Sequence, residues 1–302
     1  MAGKPFRGNH DIQKNKISMH RFLHFLVYSS SEAEFVLITA MLLLCWNIEL
    51  LAGLTANSKK WKHAWVNAKF IFSNFPLQVI VGISFAATMQ WTAKHHFGFF
   101  YELPFLKNNW WLFVFTFIFL DLGEYVYHVI MHKIKRFWMF HVVHHSDLHL
   151  DTSTSLREHP GENLIRNSFT LLWVFISGTV FWTLVLRQII QIASNVFAHV
   201  NYRLPEKLDG LIGMVFITPN LHHVHHHYTK PYTDCNYGDV LSIWDRLFGT
   251  FRRLPSSKIV FGVDSFMDEP NRRVYLHLLK LPFGKYRKSP GEALKELHQA
   301  NK

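Results

Sequence analysis

Residues 163–200 read NLIRNSFTLLWVFISGTVFWTLVLRQIIQIASNVFAHV. The run is apolar over most of its length and is broken at Ser177, Gly178 and Thr179. Histidine-rich stretches flank it: HVIMH (128–132) and HVVHH (141–145) before, LHHVHHH (221–227) after. A single crossing of a membrane would put the flanking stretches on opposite sides of the bilayer, where they could not share a site. The break therefore predicts a helical hairpin, Leu164 to Ser177 and Val180 to Val200, that enters and returns to the same face. A single tilted span is the alternative.

The flanking histidines are placed, not scattered: 13 of the chain's 21 His lie between His128 and His227. On a helix, His128 and His132 share a face, and so do His141, His144 and His145. Neutral imidazoles at such spacings suit transition metals. Their number exceeds what one zinc ion takes, about four ligands, so two metal ions close together are expected. Isolated residues such as His20, His63 and His277 read instead as ordinary core or interfacial histidines. A metal-buffering tract would be low in complexity and flanked by Gly or Ser, whereas these clusters sit in aromatic, apolar sequence.

The remaining chain reads as membrane protein. Of its 302 residues 49% are hydrophobic, with 28 Phe. Phe35 to Leu54, Phe70 to Trp91 and Trp110 to Tyr127 are near-uncharged runs of spanning length, the last opened by Trp110 and Trp111. Lys133, Lys135, Arg136, Arg157, Arg203, Lys207, Arg246, Arg252 and Arg253 surround the clusters, so by the positive-inside rule the site faces the cytoplasm. The net charge of +11 then suits anionic lipid headgroups, and no nucleic-acid motif accompanies it. Three spans before the site would put the basic N-terminus (Lys4, Arg7, Lys14, Lys16, Arg21) outside, so the number of spans before residue 110 stays open. The polar first 20 residues predict no secretory signal, and Cys45 and Cys235 form no motif.

DLGEYVYHVIMH (121–132), FHVVHHSDLHLDTSTSLREHPGE (140–162) and TPNLHHVHHHYTKPYTDCNYGDVLSIWDRLFGTF (218–251) together resemble the fatty acid hydroxylase and sterol desaturase superfamily of membrane di-iron oxygenases. The resemblance covers about residues 115–253 and is most specific where TPxxHxxHH, NYG and WDRLFGT follow one another. It implies two ferrous ions, replaceable by zinc in purified material, and the insertion of one oxygen atom from O2 into a lipid, or removal of two hydrogens from it. By position the implied ligands are His128, His132, His141, His144, His145, His222, His225 and His226, with His199 of NVFAHVN from the preceding helix. Two points stay open. His223, His226 and His227 also satisfy HxxHH, though the distance from Thr218 and Pro219 favours His222. His159 matches a recurrent family position as ligand or as support. Asn195 stands where some members carry a further His, and Val129 where Arg is common.

Metal-bound imidazoles are oriented by an acceptor on the other ring nitrogen. Asp121, four residues before Tyr125 and seven before His128, is a candidate for that role, as are Asp245, Asp239 and Glu162; an ordinary cap or a salt bridge with Arg246 or Arg166 is the alternative for each. No GxGxxG follows a strand and no CxxCH occurs, so electrons are expected from an external ferredoxin or small haem cytochrome, docked on the basic face. Lipid would slide in from the bilayer along the 163–200 hairpin, past Phe197 and Trp173.

The fold class expected is all-α: an integral-membrane helical bundle with a cytoplasm-facing helical cap holding the dimetal site. Residues 1–30 form an N-terminal extension, 31–109 spanning helices, 110–253 the catalytic domain and 254–302 a basic extension. The function expected is a lipid hydroxylase or desaturase. An ether-lipid or carotenoid monooxygenase of the same superfamily is the nearest alternative. A His-rich metal transporter would carry its ligands at mid-bilayer depth, and a zinc hydrolase would need an HExxH-like base, which is absent.

Overall fold

The structure is a computed structural model that describes residues 58–267 and 273–289. The Phe35 to Leu54 run, the N-terminal extension, Cys45 and the tail from Pro290 lie outside the described residues. Those described form helices α1 (Ser58–His95), α2 (Asn109–Lys133), α3 (Lys135–His145), α4 (Pro160–Ser177), α5 (Phe181–Ala198), α6 (Glu206–Ile212), α7 (Pro219–His225), α8 (Ile243–Leu247) and α9 (Tyr275–Lys280). Among them no strand occurs, and only two isolated bridges, Phe216 with Leu241 and His227 with Phe261, join extended segments.

α1 and α2 are long and apolar enough to cross a membrane. α1 begins at Ser58, well before the Phe70 expected from hydropathy, and runs 38 residues through Pro76. It turns Trp61, Phe72, Phe75, Ile80 and Ile83 outward. α2 starts where the Asn108 side chain accepts from Trp110 N (2.9 Å), filling one of the four unpaired N–H groups of a helix start. Roughly its first five turns match the expected span, and it continues past them to carry His128 and His132 in its last turns.

The hairpin expected from the break at Gly178 is present. Gly178 caps α4 in the left-handed conformation (φ 72°), a region that costs other residues steric strain. α4 begins earlier than expected, at Pro160, because Pro is pre-set for a first helical position and the His159 side chain accepts from Gly161 N (2.9 Å). The start of α4 and the end of α5 meet at α3, where Glu162 bonds His141 and His199 approaches His144. Both ends of the hairpin thus reach one side.

α2 is flanked by α3, α4 and α5, and α1 lies along α4. Met89, Leu120, Val174 and Leu184 close the junction of α1, α2, α4 and α5, with Trp173 laid over Gly123. Described residues after 254 pack on the helices: Val263 and Phe266 on Met139 and Val142 of α3, and Leu278 on Phe70 and Val143.

Gly98 (φ 118°) lies directly against the Gly178 backbone, and a Cβ on it would overlap Gly178 N and Cα. We expect Gly98→Ala to destabilise the protein by about 3 kcal/mol, from overpacking plus a positive φ. Gly82→Ala, where a Cβ meets nothing within 4 Å, is the control; equal thermal midpoints for the two variants in detergent would contradict the packing described.

Candidate metal centre

Two helices of opposite origin, α3 and α7, share out the histidines in the same way. On α3, His141 and His145 stand one turn apart on one face, while His144 lies about 100° round the helix from His145. On α7 and its cap, His222 and His226 form the turn-spaced pair and His225 points elsewhere. Packing the two together gives two groups: His128, His132, His141, His145 and His225, and His144, His199, His222 and His226. Within each group the ligand nitrogens all lie within 4.8 Å of one another. His145 and His226, one from each group, stack at 4.5 Å between ring centres.

The hydrogen bonds fix ring orientation. His128 Nδ1 donates to the Tyr237 carbonyl (2.8 Å), His199 Nδ1 to the Asn195 carbonyl (2.8 Å) and His225 Nδ1 to the Cys235 carbonyl (2.7 Å). His141 Nδ1 donates to the Glu162 carboxylate (2.5 Å). With Nδ1 carrying the proton, a neutral ring presents only a lone pair at Nε2. Yet His128 Nε2 and His141 Nε2 stand 3.1 Å apart. His199 Nε2 is similarly close to His144 (3.1 Å) and His222 (3.0 Å). The Nε2 atoms of His132 and His225 are buried without a hydrogen-bond partner.

At His144 and His222 protonation does not relieve this. Burial and the neighbouring imidazoles push the pKa values of His144, His145, His222 and His226 well below the ordinary histidine value, and burial holds His225 at about 3. Neutral lone pairs converging at such distances repel unless a cation lies between them. The donor set therefore fits two metal ions, one in each group, with nitrogen ligands suited to iron or zinc.

Three histidines stand apart. His223 donates from Nε2 to the Val200 carbonyl (3.1 Å) and its ring packs on Phe261, on the far side of α7. The arrangement thus brings together the His222, His225, His226 register. His227 accepts from Val260 N. His159 caps α4 and donates to the Leu279 carbonyl.

The carboxylates divide by task. Asp121 does not touch an imidazole: it is fully buried and accepts from Val240 N, Leu241 N and Trp244 Nε1, because α2 turns it towards the 240–244 segment. Asp245 acts one step removed, accepting from Tyr237 N (2.7 Å) and Gly238 N (2.9 Å) and so holding the loop whose carbonyl receives His128. Asp234 lies 3.4 Å from His132 Nδ1. Glu162 alone of the sequence-derived carboxylates meets an imidazole directly. The carbonyl acceptors of Asn195, Cys235 and Tyr237 had no sequence signal, since every residue carries a carbonyl.

A chamber opens beside the imidazoles of His128, His141, His144, His199 and His222, lined also by Glu124, Glu158, Glu162, Arg166, Asn195 and Asp239. Trp173 and Phe197, expected along a lipid path, do not line it: Trp173 packs against Phe119, and Phe197 against Val196 and Val200.

Residues 113–250 match the family model "Fatty acid hydroxylase". An alkylglycerol monooxygenase of Danio rerio is 32% identical over 204 residues, 64% of this chain and 41% of that protein. The Homo sapiens alkylglycerol monooxygenase is 28% identical over 183 residues, 57% of this chain and 38% of its own length. An ornithine lipid hydroxylase of Rhizobium tropici is 27% identical over 135 residues, 45% of this chain and 40% of that protein. The chain thus spans about two fifths of the length of these relatives. No solved structure matches. The stretch that matches the fatty acid hydroxylase model, 113–250, contains every residue of both histidine groups.

Proposed function

We propose that the protein is a membrane-bound monooxygenase that uses O2 to hydroxylate a lipid C–H bond, with one iron ion in each histidine group. The observation that carries this reading is the division of buried imidazoles into adjacent groups of five and four, with ring nitrogens 3.0–3.1 Å apart in each. Two redox-active ions held side by side would supply O2 binding and would pass on the electrons delivered by a donor. One oxygen atom enters the C–H bond; the other leaves as water, with two protons and two electrons from a donor outside the chain. The donor class remains the ferredoxin or small haem cytochrome expected from the sequence, and the basic surroundings of the site support a cytoplasmic face.

The chain's own residues do the rest. The Tyr237, Cys235 and Asn195 carbonyls lock the tautomers of His128, His225 and His199, so that Nε2 is the ligand atom in each. Glu162 holds the proton on His141 Nδ1 and raises the basicity of that ring. Trp138 packs against His132 and His145 and holds their rings in place. The likeness to alkylglycerol monooxygenases favours an ether lipid as substrate.

The test is to load the purified protein with ferrous iron, supply a chemical reductant and isotopically labelled O2, and analyse both metal and lipid. About two iron ions per chain and one labelled oxygen atom in the lipid product are expected. A single structural zinc, or a product whose oxygen comes from water, would rule the proposal out.

A further inference from the structure

The wall facing the imidazoles is unlike a hydrocarbon tunnel. Glu162 is 1% exposed and its Oε1 serves His141, while its Oε2 has no hydrogen-bond partner among the described residues. Asn195 Oδ1 and Asp239 Oδ2, also on this wall, are likewise buried and unpartnered. The Glu158 carboxylate lies 3.2 Å from Arg166 Nε, leaving that guanidinium as the wall's main donor. Each unsatisfied acceptor carries a desolvation penalty that a bound donor would remove. The chamber measures about 40 Å³; a water-sized group needs roughly 10–15 Å³, so about three such groups fit and an acyl chain does not.

We propose that this chamber is a headgroup subsite: Asn195 and Asp239, supported by Glu162, receive the hydrogen-bond donors of a small hydroxyl- or ammonium-bearing lipid head. This rests on the lipid-oxidation reading above and sharpens it. A head held against the wall leaves its neighbouring carbons beside His128, His144 and His222, so oxidation falls within a few atoms of the head rather than along the acyl chain. Asn195 has two separate tasks, its backbone carbonyl holding His199 and its side chain facing the ligand. Substitutions can therefore reach the second task and leave the first.

The experiment measures binding, not turnover. Full-length protein in nanodiscs, iron-loaded and metal-free, is titrated with three probes of equal chain length: monohexadecanoyl glycerol, hexadecylamine and methyl hexadecanoate. Wild type is expected to bind one of the donor-bearing probes at least about tenfold more tightly than the methyl ester; preference for the glycerol probe assigns hydroxyl donors, preference for the amine an ammonium. In Asn195→Leu with Asp239→Leu the preference should shrink to about threefold or less, with the iron content of wild type. Equal binding of all three probes by wild type would overturn the subsite and leave the wall as a path for protons. A full preference retained in the double variant would overturn the assignment of these residues. If the protein binds no iron but keeps the preference, the oxidation reading fails and the subsite stands.

Discussion

His225→Ala and His222→Ala, three residues apart on α7, are expected to remove different metal ions. His225 belongs to the group with His128, His132, His141 and His145, whereas His222 belongs with His144, His199 and His226. Each variant should fall from about two bound iron ions per chain to about one, and product formation should drop to background, because neither ion alone completes the redox pair. The two single ions should differ spectroscopically, since His225→Ala leaves one among His144, His199, His222 and His226, and His222→Ala leaves the other among His128, His132, His141, His145 and His225. Metal analysis with Mössbauer spectroscopy reads this directly. Loss of both ions in both variants would mean that the groups do not hold metal independently. Unchanged iron in either would place that histidine outside the centre.

Arg157→Met is expected to cost about 3–5 kcal/mol, because it removes one partner from a buried charged network. Arg157 is 1% exposed. It donates from Nε to the Val143 carbonyl (2.8 Å), from Nη1 to Asn67 Oδ1 (3.2 Å) and from Nη2 to Ser146 Oγ (2.8 Å). It thereby ties α1 to the C-terminal end of α3, the turn that carries His144 and His145. Asp147 completes the network with His63 (2.8 Å). Burial alone would raise the Asp147 pKa, but His63 and Arg157 outweigh it and hold the carboxyl well below the usual carboxylate range. A carboxyl depressed in the folded state adds stability that is fully present above its unfolded value near 4 and is lost as pH falls below that. The thermal midpoint of Arg157→Met should drop by roughly 10 °C at neutral pH. Because Asp147 loses a favourable partner there, the acid-induced decline should be shallower than in wild type. A shift under about 2 °C would show that the network contributes little.

Much of the site is legible in the amino-acid sequence itself. Metal-ligand spacing repeats with the helical period, so HVIMH announces that His128 and His132 share a face; in HVVHH the expected common face of His141, His144 and His145 splits, with His144 turned to the other group. The break at Gly178 is legible for a similar reason, because a left-handed cap in an apolar run leaves few other interpretations. The register of the last stretch is not, since His222 and His223 differ by only about 100° on α7, and the packing of that helix against α3 decides which of them turns inward. Asp121 shows the limit of spacing arguments: it lies on a turn-spaced path to His128, yet its side chain serves Val240, Leu241 and Trp244.

By itself the sequence determined the helical character of the described residues, the two long apolar helices among them and the return of the 163–200 hairpin. These depend on periodicity and on local backbone preference, which neighbouring residues set. Only the tertiary structure decided how the histidines divide, which carbonyls orient them, that Val263 and Phe266 pack on α3, and that the chamber wall is charged rather than apolar. Those depend on contacts between residues as far apart in the chain as His128 and Tyr237, and no local pattern encodes which distant surfaces will be pressed together.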